Sequence, residues 1–476
     1  MSIHTYKKKS MQRFYYDMAL RCIKALNVVL IAAPFVLSWY GWYASHTASP
    51  YYSRGNGLII LIFILLYGIF GRVYGALQIS FNRISELVYG QILACVVSDV
   101  ILYLIILLLS KHLPNPGPLL LALFAQTVLS AIWSLLAHKW YFSTFPAKET
   151  YVVYDRKRSI DNLIAEYGID KKFKIGKCVN VEMCLAGKLK ALEGAEVVFL
   201  CGIHSHERNI ILKYCVEHQI KVYVLPRIGD VIMSGAEQAH LFHLPLFEVG
   251  LYNPTPEYRM GKRLFDIVLS LVGIIITSPI MLITALAIKA EDGGSIFYKQ
   301  CRLTQGGRKF FIIKFRSMRA DAEADGIARL STGDSDPRIT KVGRFIRKVR
   351  IDELPQLFNI LEGSMSIVGP RPERPVIARQ YEKKLPEFAL RLQAKAGLTG
   401  YAQVYGKYNT TPYDKLQMDL MYLVNAGFAL DLRIIFKTVQ ILFLKESTEG
   451  VKEEDEKAVD YKIKSDSLET SRRAVQ

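Results

Sequence analysis

In a chain of 476 residues, the pair Asp352-Glu353 within Ile351-Asp352-Glu353-Leu354-Pro355-Gln356-Leu357 is where residue type and spacing point most directly to chemistry. Adjacent carboxylates allow a division of labour: one attacks phosphorus while the other holds a metal that neutralises phosphates. Leu354, Leu357, Phe358 and Leu361 mark an amphipathic helix. Pro355 fits only its first turn, so the acids stand at the helix N-terminus. The helix dipole favours carboxylates there whatever their role, and the same end attracts phosphate and supports Mg²⁺; Arg350 adjoins the pair. After His243 there is no histidine, and Cys301 is the one remaining thiol. Downstream catalysis must therefore run on carboxylates, Lys, Arg or a metal, not on a Ser/His or Cys/His pair.

Cations are spaced to serve such a pair. Lys314 and Arg316 end a β-like run from Phe310 and fall on one face of a strand, where two cations suit a phosphate. In Ser366-Ile367-Val368-Gly369-Pro370-Arg371-Pro372 an arginine is fixed between Pro370 and Pro372. Chain stiffness there presents the guanidinium at low entropic cost as a bidentate phosphate clamp. Lys341, Arg344, Arg347 and Lys348 alternate with Val342, Phe345, Ile346 and Val349 at i, i+3, i+4, i+7 spacing, which predicts a basic amphipathic helix suited to an anionic membrane surface.

These residues must be positioned at a membrane. Apolar runs over Cys22–Ala44, Asn56–Leu77, Leu87–Leu109 and Pro118–Trp140 each approach the ~20 residues that cross hydrocarbon. Lys7, Lys8, Lys9, Arg13 and Arg21 precede the first run, and Lys139 and Lys148 close the fourth. The positive-inside rule therefore places both ends of a four-helix bundle in the cytoplasm. Asp99 is the one acid in the spans, and a Ser or Tyr inside the bundle is expected to satisfy it. The tryptophans read as interfacial anchors. A fifth run, Leu264–Ala290, carries Ser278-Pro279 at its middle. Proline there costs about 3 kcal/mol in a straight helix, so a break or kink is expected. With basic residues at both ends, the run reads as a re-entrant hairpin that enters and leaves one leaflet.

Between the spans and this run, β-rich segments at Tyr151–Tyr154, Phe173–Cys178, Val197–Gly202 and Lys221–Leu225 alternate with helical ones, the pattern of a parallel sheet with crossover helices. The first strand is followed by Asp155-Arg156-Lys157-Arg158 instead of a glycine-rich loop, so no nucleotide is expected there. His204-x-His206 and His240-x-x-His243 lack companion ligands at metal spacing. The net charge of +18 points to acidic partners such as anionic lipid or phosphorylated substrates. The seven cysteines show no C-x-x-C pair, which fits a reducing compartment. The charged, aromatic-poor stretch after about Glu446 reads as a disordered tail.

Taken together, Lys314–Met318, Asp336-Pro337-Arg338-Ile339-Thr340, Ile351–Leu357, Gly369–Pro372, Gly397-Leu398-Thr399-Gly400-Tyr401-Ala402-Gln403 and Asp419-Leu420 resemble the bacterial sugar transferase family, the monotopic polyprenyl-phosphate phosphoglycosyl transferases. The motifs cover about Tyr258–Lys445. The spans and middle domain are similar to those of its large members, the undecaprenyl-phosphate galactose or glucose phosphotransferases that start exopolysaccharide, capsule or O-antigen units. The resemblance implies a two-step reaction on a UDP-sugar and undecaprenyl phosphate, with Mg²⁺ as cofactor, at the bacterial cytoplasmic membrane with the active site on the cytoplasmic face. By resemblance Asp352 is the nucleophile, Glu353 binds Mg²⁺, Arg371 clamps phosphate or nucleotide, and Lys314 and Arg316 face the same site, with Arg350, Pro370, Pro372 and Asp419 in the binding set. Ser278-Pro279 makes the re-entrant break. The resemblance also allows a homodimer; nucleic acid is not an expected partner. Two departures stand out: Ala396 and Tyr401 in Lys395-Ala396-Gly397-Leu398-Thr399-Gly400-Tyr401, and Val349-Arg350 before the acids. Neither touches the acid pair, but both bear on sugar or lipid preference.

The expected fold is a transmembrane α-helical bundle (1–145), a cytoplasmic α/β Rossmann-like domain (146–252), a mainly α catalytic domain (253–447) with a re-entrant helix over 264–290, and a charged tail (448–476). The competing reading is an inactive membrane scaffold or sensor that regulates polysaccharide assembly; decay of that kind is expected to erode the acid pair first, and Asp352-Glu353 is intact. An alcohol phosphatidyltransferase would gather several Asp on adjacent membrane helices, whereas these spans hold only Asp99.

Overall fold

The structure is a computed structural model and describes residues 3–47, 53–155, 170–187, 189–241, 244–250, 252–319, 338–406 and 411–442. Arg156–Arg158, His243, Asp336-Pro337 and the tail lie outside the described residues. The chain divides into two compact units, Met1–Leu225 and Pro226–Gln476.

The first unit opens with α1 (Ile3–Ser38), which continues through a wider turn at Trp39–Tyr43 to Ala44–His46, followed by α2 (Ser53–Val73), α3 (Ile84–Leu109) and α4 (Gly117–Thr144). All four are long and apolar enough to cross a membrane. The second stops at Val73, short of the expected Leu77, because Gly75 takes a positive φ of 68° that ends the helical path. One polar seam joins all four helices. Asn27 donates to Gln91 at 3.1 Å, Tyr67 donates to Asn27 at 2.7 Å, and Gln91 donates to Ser134 at 3.2 Å. Away from water such bonds fix helix register, because the alternative is an unpaired polar group. Asp99 departs from expectation: it is 3% exposed, the Gln126 amide lies beside it, and neither carboxylate oxygen accepts a hydrogen bond from a Ser or Tyr. Trp39 and Trp133 are also buried in the bundle, with Trp39 donating to Asn56 at 3.0 Å, so these two are packing residues and not interfacial anchors.

The same unit continues with β1 (Lys148–Tyr154), β2 (Phe173–Asn180), α5 (Val181–Ala186), β3 (Val197–Cys201), α6 (Ser205–Glu217) and β4 (Lys221–Val224). The strands form one parallel sheet in the order β2-β1-β3-β4. The β-rich runs thus land where their composition places them. Val153, Val198 and Leu200 pack beneath α5 and α6 against Cys184, Ile211 and Cys215.

The second unit holds α7 (Ile228–Met233), the antiparallel hairpin β5 (Glu237–Leu241) and β6 (Leu244–Glu248), α8 (Pro256–Asp292), and a second hairpin, β7 (Phe297–Leu303) and β8 (Lys309–Phe315). Then come α9 (Lys341–Lys348), α10 (Gln356–Glu362), β9 (Met365–Val368), α11 (Pro375–Lys384), β10 (Ala396–Thr399), α12 (Tyr401–Tyr405), α13 (Pro412–Val424) and α14 (Phe428–Leu442). Its core gathers Ile312, Ile360, Met365, Phe388, Leu420 and Ile434, and Val231 of α7 joins it, so residues 226–233 pack here and not with the parallel sheet.

The fifth apolar run is part of α8, a single helix of 37 residues that Pro279 does not interrupt. A proline nitrogen has no hydrogen for the carbonyl four residues back; Ser278 Oγ donates to that carbonyl, Ile275 O, at 2.9 Å. Side chains thus stitch both ends of α8 to this unit. Near its start Arg263 donates to Ile360 O and Leu361 O, both at 2.6 Å, closing the C-terminus of α10, and Lys262 and Tyr258 reach Asp431 at 2.7 and 2.8 Å. Near its end Glu291 accepts from Lys341 N at 2.8 Å, capping α9, and Asp292 pairs with Arg316. Between these anchors Leu264, Val268, Leu271, Ile275, Leu282 and Leu286 are exposed.

Candidate active site

The acids sit one short turn ahead of α10. After α9 ends, Arg350 adopts the left-handed conformation (φ 56°, ψ 22°), then Ile351–Glu353 form a 3₁₀ turn and Pro355 caps α10. A non-glycine residue held left-handed is sparsely populated and costs of order 1 kcal/mol, so the surrounding packing dictates this turn. Ile351 and Leu354 supply it by packing against Phe315, Ile346 and Met281.

Lys314 Nζ lies 2.9 Å from Glu353 Oε1, Arg371 lies 3.3 Å from the same oxygen, and Arg350 lies 3.8 Å from Oε2. Asn359 fixes the strand that carries Lys314: its side chain accepts from Ile313 N and donates to Phe311 O, each at 2.9 Å, joining α10 to the backbone of β8. The Pro370-Arg371-Pro372 segment is held through its carbonyls. Pro370 O accepts from Gly397 N at 3.0 Å, Arg371 O from Arg391 at 2.9 Å, and Pro372 O from Arg302 at 3.1 Å. With the backbone pinned on both sides, the guanidinium is presented from a fixed base.

The glycines of Gly397-Leu398-Thr399-Gly400 serve a backbone approach. β10 pairs in parallel with β9, and a Cβ on Gly369 would meet Lys395 O at 2.2 Å while one on Gly397 would meet Gly369 N at 2.2 Å. Only glycine lets these two backbones approach so closely beneath the clamp.

The cations divide. Lys314, Arg350 and Arg371 converge on Glu353, whereas Arg316, 7% exposed, pairs with Asp292 at the end of α8. Arg316 lies one residue past β8, its backbone N–H donates to Ile296 O at 2.9 Å, and its side chain goes to the end of α8 and not to the acids. Asp419 is 1% exposed and bound by Arg391 at 2.6 Å; it anchors the clamp from behind and does not line the space above the acids. Arg391 and Asn359 escaped the sequence reading because their partners lie 28 and 46 residues away, with no local pattern to reveal them. The basic helix also splits its apolar face: Ile346 is 2% exposed and part of the core, while Phe345 and Val349 are 63% and 45% exposed.

Electrostatics separate the two acids. Burial, then the charge of Glu353, pushes the Asp352 carboxyl up to about 6. Burial acts the same way on Glu353, but Lys314, Arg371 and Arg350 outweigh it and hold that carboxyl far below the ordinary range. Two adjacent acids with opposite shifts are the mark of divided roles.

Among the described residues there is no group of three or more His, Cys, Asp and Glu that would cage a metal alone. Mg²⁺ commonly takes one or two carboxylates and completes its shell with substrate phosphate and water. The Asp352-Glu353 pair fits that donor set, with Oε2 of Glu353 the less engaged oxygen.

The profile of the family described as bacterial sugar transferase matches residues 257–445, which include both acids, the three cations and Arg391. An N-acetylgalactosaminephosphotransferase acting from UDP-N-acetylgalactosamine on undecaprenyl phosphate, from Aeromonas hydrophila, is 38% identical over 234 residues, 48% of this chain and 54% of that protein. The UDP-glucose:undecaprenyl-phosphate glucose-1-phosphate transferase of Xanthomonas campestris pv. campestris is 34% identical over 244 residues, 50% of each chain. The enzyme of that same name from Caulobacter vibrioides is 38% identical over 199 residues, 41% of this chain and 74% of that one. The chain belongs to the bacterial sugar transferase family. It spans about half the length of the first two relatives. In this member of the family the matched stretch begins at the second residue of α8, so the helix that carries Arg263 and Glu291 is part of the family unit.

Proposed function

We propose that this protein moves a sugar-1-phosphate from a UDP-sugar, UDP-galactose or UDP-glucose, to undecaprenyl phosphate, at the cytoplasmic face of a bacterial inner membrane. The observation that carries the reading is the opposed pair: a raised Asp352 beside a Glu353 held ionised by Lys314, Arg371 and Arg350. An Asp352 oxygen attacks the β-phosphorus, the bond from that phosphorus to the bridging oxygen breaks, and UMP leaves with the electron pair. The sugar-phosphoryl group then rests on Asp352 until an oxygen of undecaprenyl phosphate attacks the same phosphorus, returns the carboxylate and leaves as the diphosphate-linked sugar. Arg371, stapled through its backbone, and Lys314 hold phosphate oxygens through both steps. Glu353 would hold Mg²⁺, which supplies charge neutralisation at the phosphates. The whole transfer is the first membrane step of exopolysaccharide, capsule or O-antigen synthesis.

Purified protein given UDP-glucose, UDP-galactose and UDP-N-acetyl sugars is expected to release UMP with one of them and to turn over only when undecaprenyl phosphate is present. No release from any donor would favour the scaffold reading. Asp352 attacks only as a carboxylate. UMP release should therefore rise about tenfold per pH unit below about 6 and level off above it, since the group titrates at about 6 and not near 4. A pre-steady-state profile with its midpoint near 4 would remove burial as the cause.

The topology proposed for α8 is re-entrant. Arg263 near its start and Glu291 near its end tie α8 to one compact unit. Apolar side chains between those ties are exposed, which suits a helix dipping into one leaflet. In a cysteine-free background, Met260→Cys and Ser295→Cys are expected to react with an impermeant maleimide from the same side of sealed vesicles. Labelling from opposite sides would make α8 a fifth span.

A further inference from the structure

The parallel sheet of the first unit brings three lysines to one end, the end where its strands begin. Lys148 opens β1, Lys172 immediately precedes β2 and Lys221 opens β4, all at the starts of strands in the order β2-β1-β3-β4. At the β2 corner of that end Lys172 meets the connection between α2 and α3: it donates to Ser80 Oγ at 2.9 Å and its nitrogen is 3.0 Å from the centre of the Phe81 ring. Burial, then Lys221 and Lys148, lowers the Lys172 ammonium to about 7. A half-buried cation whose charged neighbours are cations is an arrangement that an anion would complete.

Space for one adjoins it. A cavity of about 290 Å³ shares Ser80 and Phe81 with the Lys172 contacts and is lined as well by Lys24 and Gln78. Lys24 belongs to the apolar stretch Tyr15–His46 of α1, so the cavity lies between that helix and the connection that Lys172 touches. Beside the lysines Phe199 and Tyr223 stack at 5.0 Å and Phe173 meets both edge to face. Lysines interleaved with aromatics at the end of a membrane bundle are where lipid headgroups bind.

We propose that this junction binds the phosphate of a membrane lipid, with Lys172 and Lys24 contacting the phosphate and the Gln78 amide beside them. A phospholipid and a polyprenyl phosphate share that chemistry. The site is remote in sequence from Asp352 and does not depend on the transferase reading.

The test uses the full chain in phosphatidylcholine nanodiscs, supplemented with phosphatidylglycerol, undecaprenyl phosphate, inorganic phosphate or nothing, and reads thermal midpoint and lipid retained in native mass spectrometry. The expected result is a higher midpoint and one retained lipid in wild type with at least one phosphate lipid, and affinity lowered roughly tenfold in Lys172→Gln and Lys24→Gln. The lipid that acts identifies the source. Lys172→Gln removes an uncompensated cation and should melt no lower than wild type without added lipid; Lys24→Gln provides a second variant on a different element. Equal shifts in wild type and both variants, or no shift with either lipid, would overturn the site. A full shift from inorganic phosphate alone would overturn the lipid assignment. UMP release is a separate readout, so failure here leaves the reaction untouched.

Discussion

Asp352→Asn is expected to lose UMP release by on the order of 10³-fold or more, while folding as stably as wild type or more so at pH 8. The two halves have one origin. Asp352 is partly enclosed, next to an ionised Glu353, and its carboxyl is raised from 3.8 to about 6. A raised acid binds its proton more tightly in the folded than in the unfolded chain. Its contribution to stability is therefore full below about 4 and is lost as pH rises through about 6. At pH 8 the carboxylate is charged in both states, and holding it in the folded site costs on the order of 1–2 kcal/mol after allowing for solvent screening. Asparagine keeps the shape and removes the charge, so the cost disappears together with the nucleophile. Calorimetry at pH 8 and pH 5 checks the sign: the gain from Asp352→Asn should shrink at the lower pH. Full turnover in the variant would remove Asp352 as nucleophile, and a melting point several degrees lower would mean that the carboxylate contributes to folding.

The opposite behaviour of Glu353 explains why both acids are tolerated side by side. Three cations from separate elements, Lys314 on β8, Arg350 at the end of α9 and Arg371 after β9, converge on it. Their types were visible in the sequence because a carboxylate pair, a K-x-R and a proline-flanked arginine each imply phosphate chemistry. Their convergence was not. Lys314 and Arg316 look equivalent as alternate residues, but the strand ends between them and Arg316 goes to Asp292. The spans and parallel strands were legible because hydrophobic runs and β-branched clusters answer to local physics. Pro279 was legible only in part: its cost is local, but the Ser278 hydroxyl that takes up the orphaned Ile275 carbonyl lets the helix continue. Gly369 and Gly397 were visible as motif members, and their reason, two backbones in near contact, exists only once β9 and β10 pair.

Removing one partner of the Arg391–Asp419 pair should be more damaging than removing both. Arg391 is 2% and Asp419 1% exposed, and they meet at 2.6 Å. Burial raises the Asp419 carboxyl in spite of Arg391, which shows that desolvation exceeds what the arginine returns. Arg391→Met strands that carboxylate and is expected to destabilise the chain by about 3–5 kcal/mol. The double variant Arg391→Met/Asp419→Leu leaves no buried charge at the pair, and Glu373, 3.7 Å from Arg391, keeps Lys415 at 3.5 Å, so much of that loss should be recovered in denaturant melts. Activity should not recover with it. Arg391 also donates to Arg371 O at 2.9 Å, one of three carbonyl bonds that hold the clamp, and neither methionine nor leucine replaces that donor. A guanidinium displaced by about 1 Å can cost up to about 100-fold in rate, so UMP release by the refolded double variant should stay roughly 10- to 100-fold low. The loss should fall mainly in kcat if Arg371 acts on the phosphorus as it is transferred, and in KM if it only binds the donor. Recovery of stability and rate together would reduce Arg391 to a packing residue; stability without rate makes it the residue that positions the clamp.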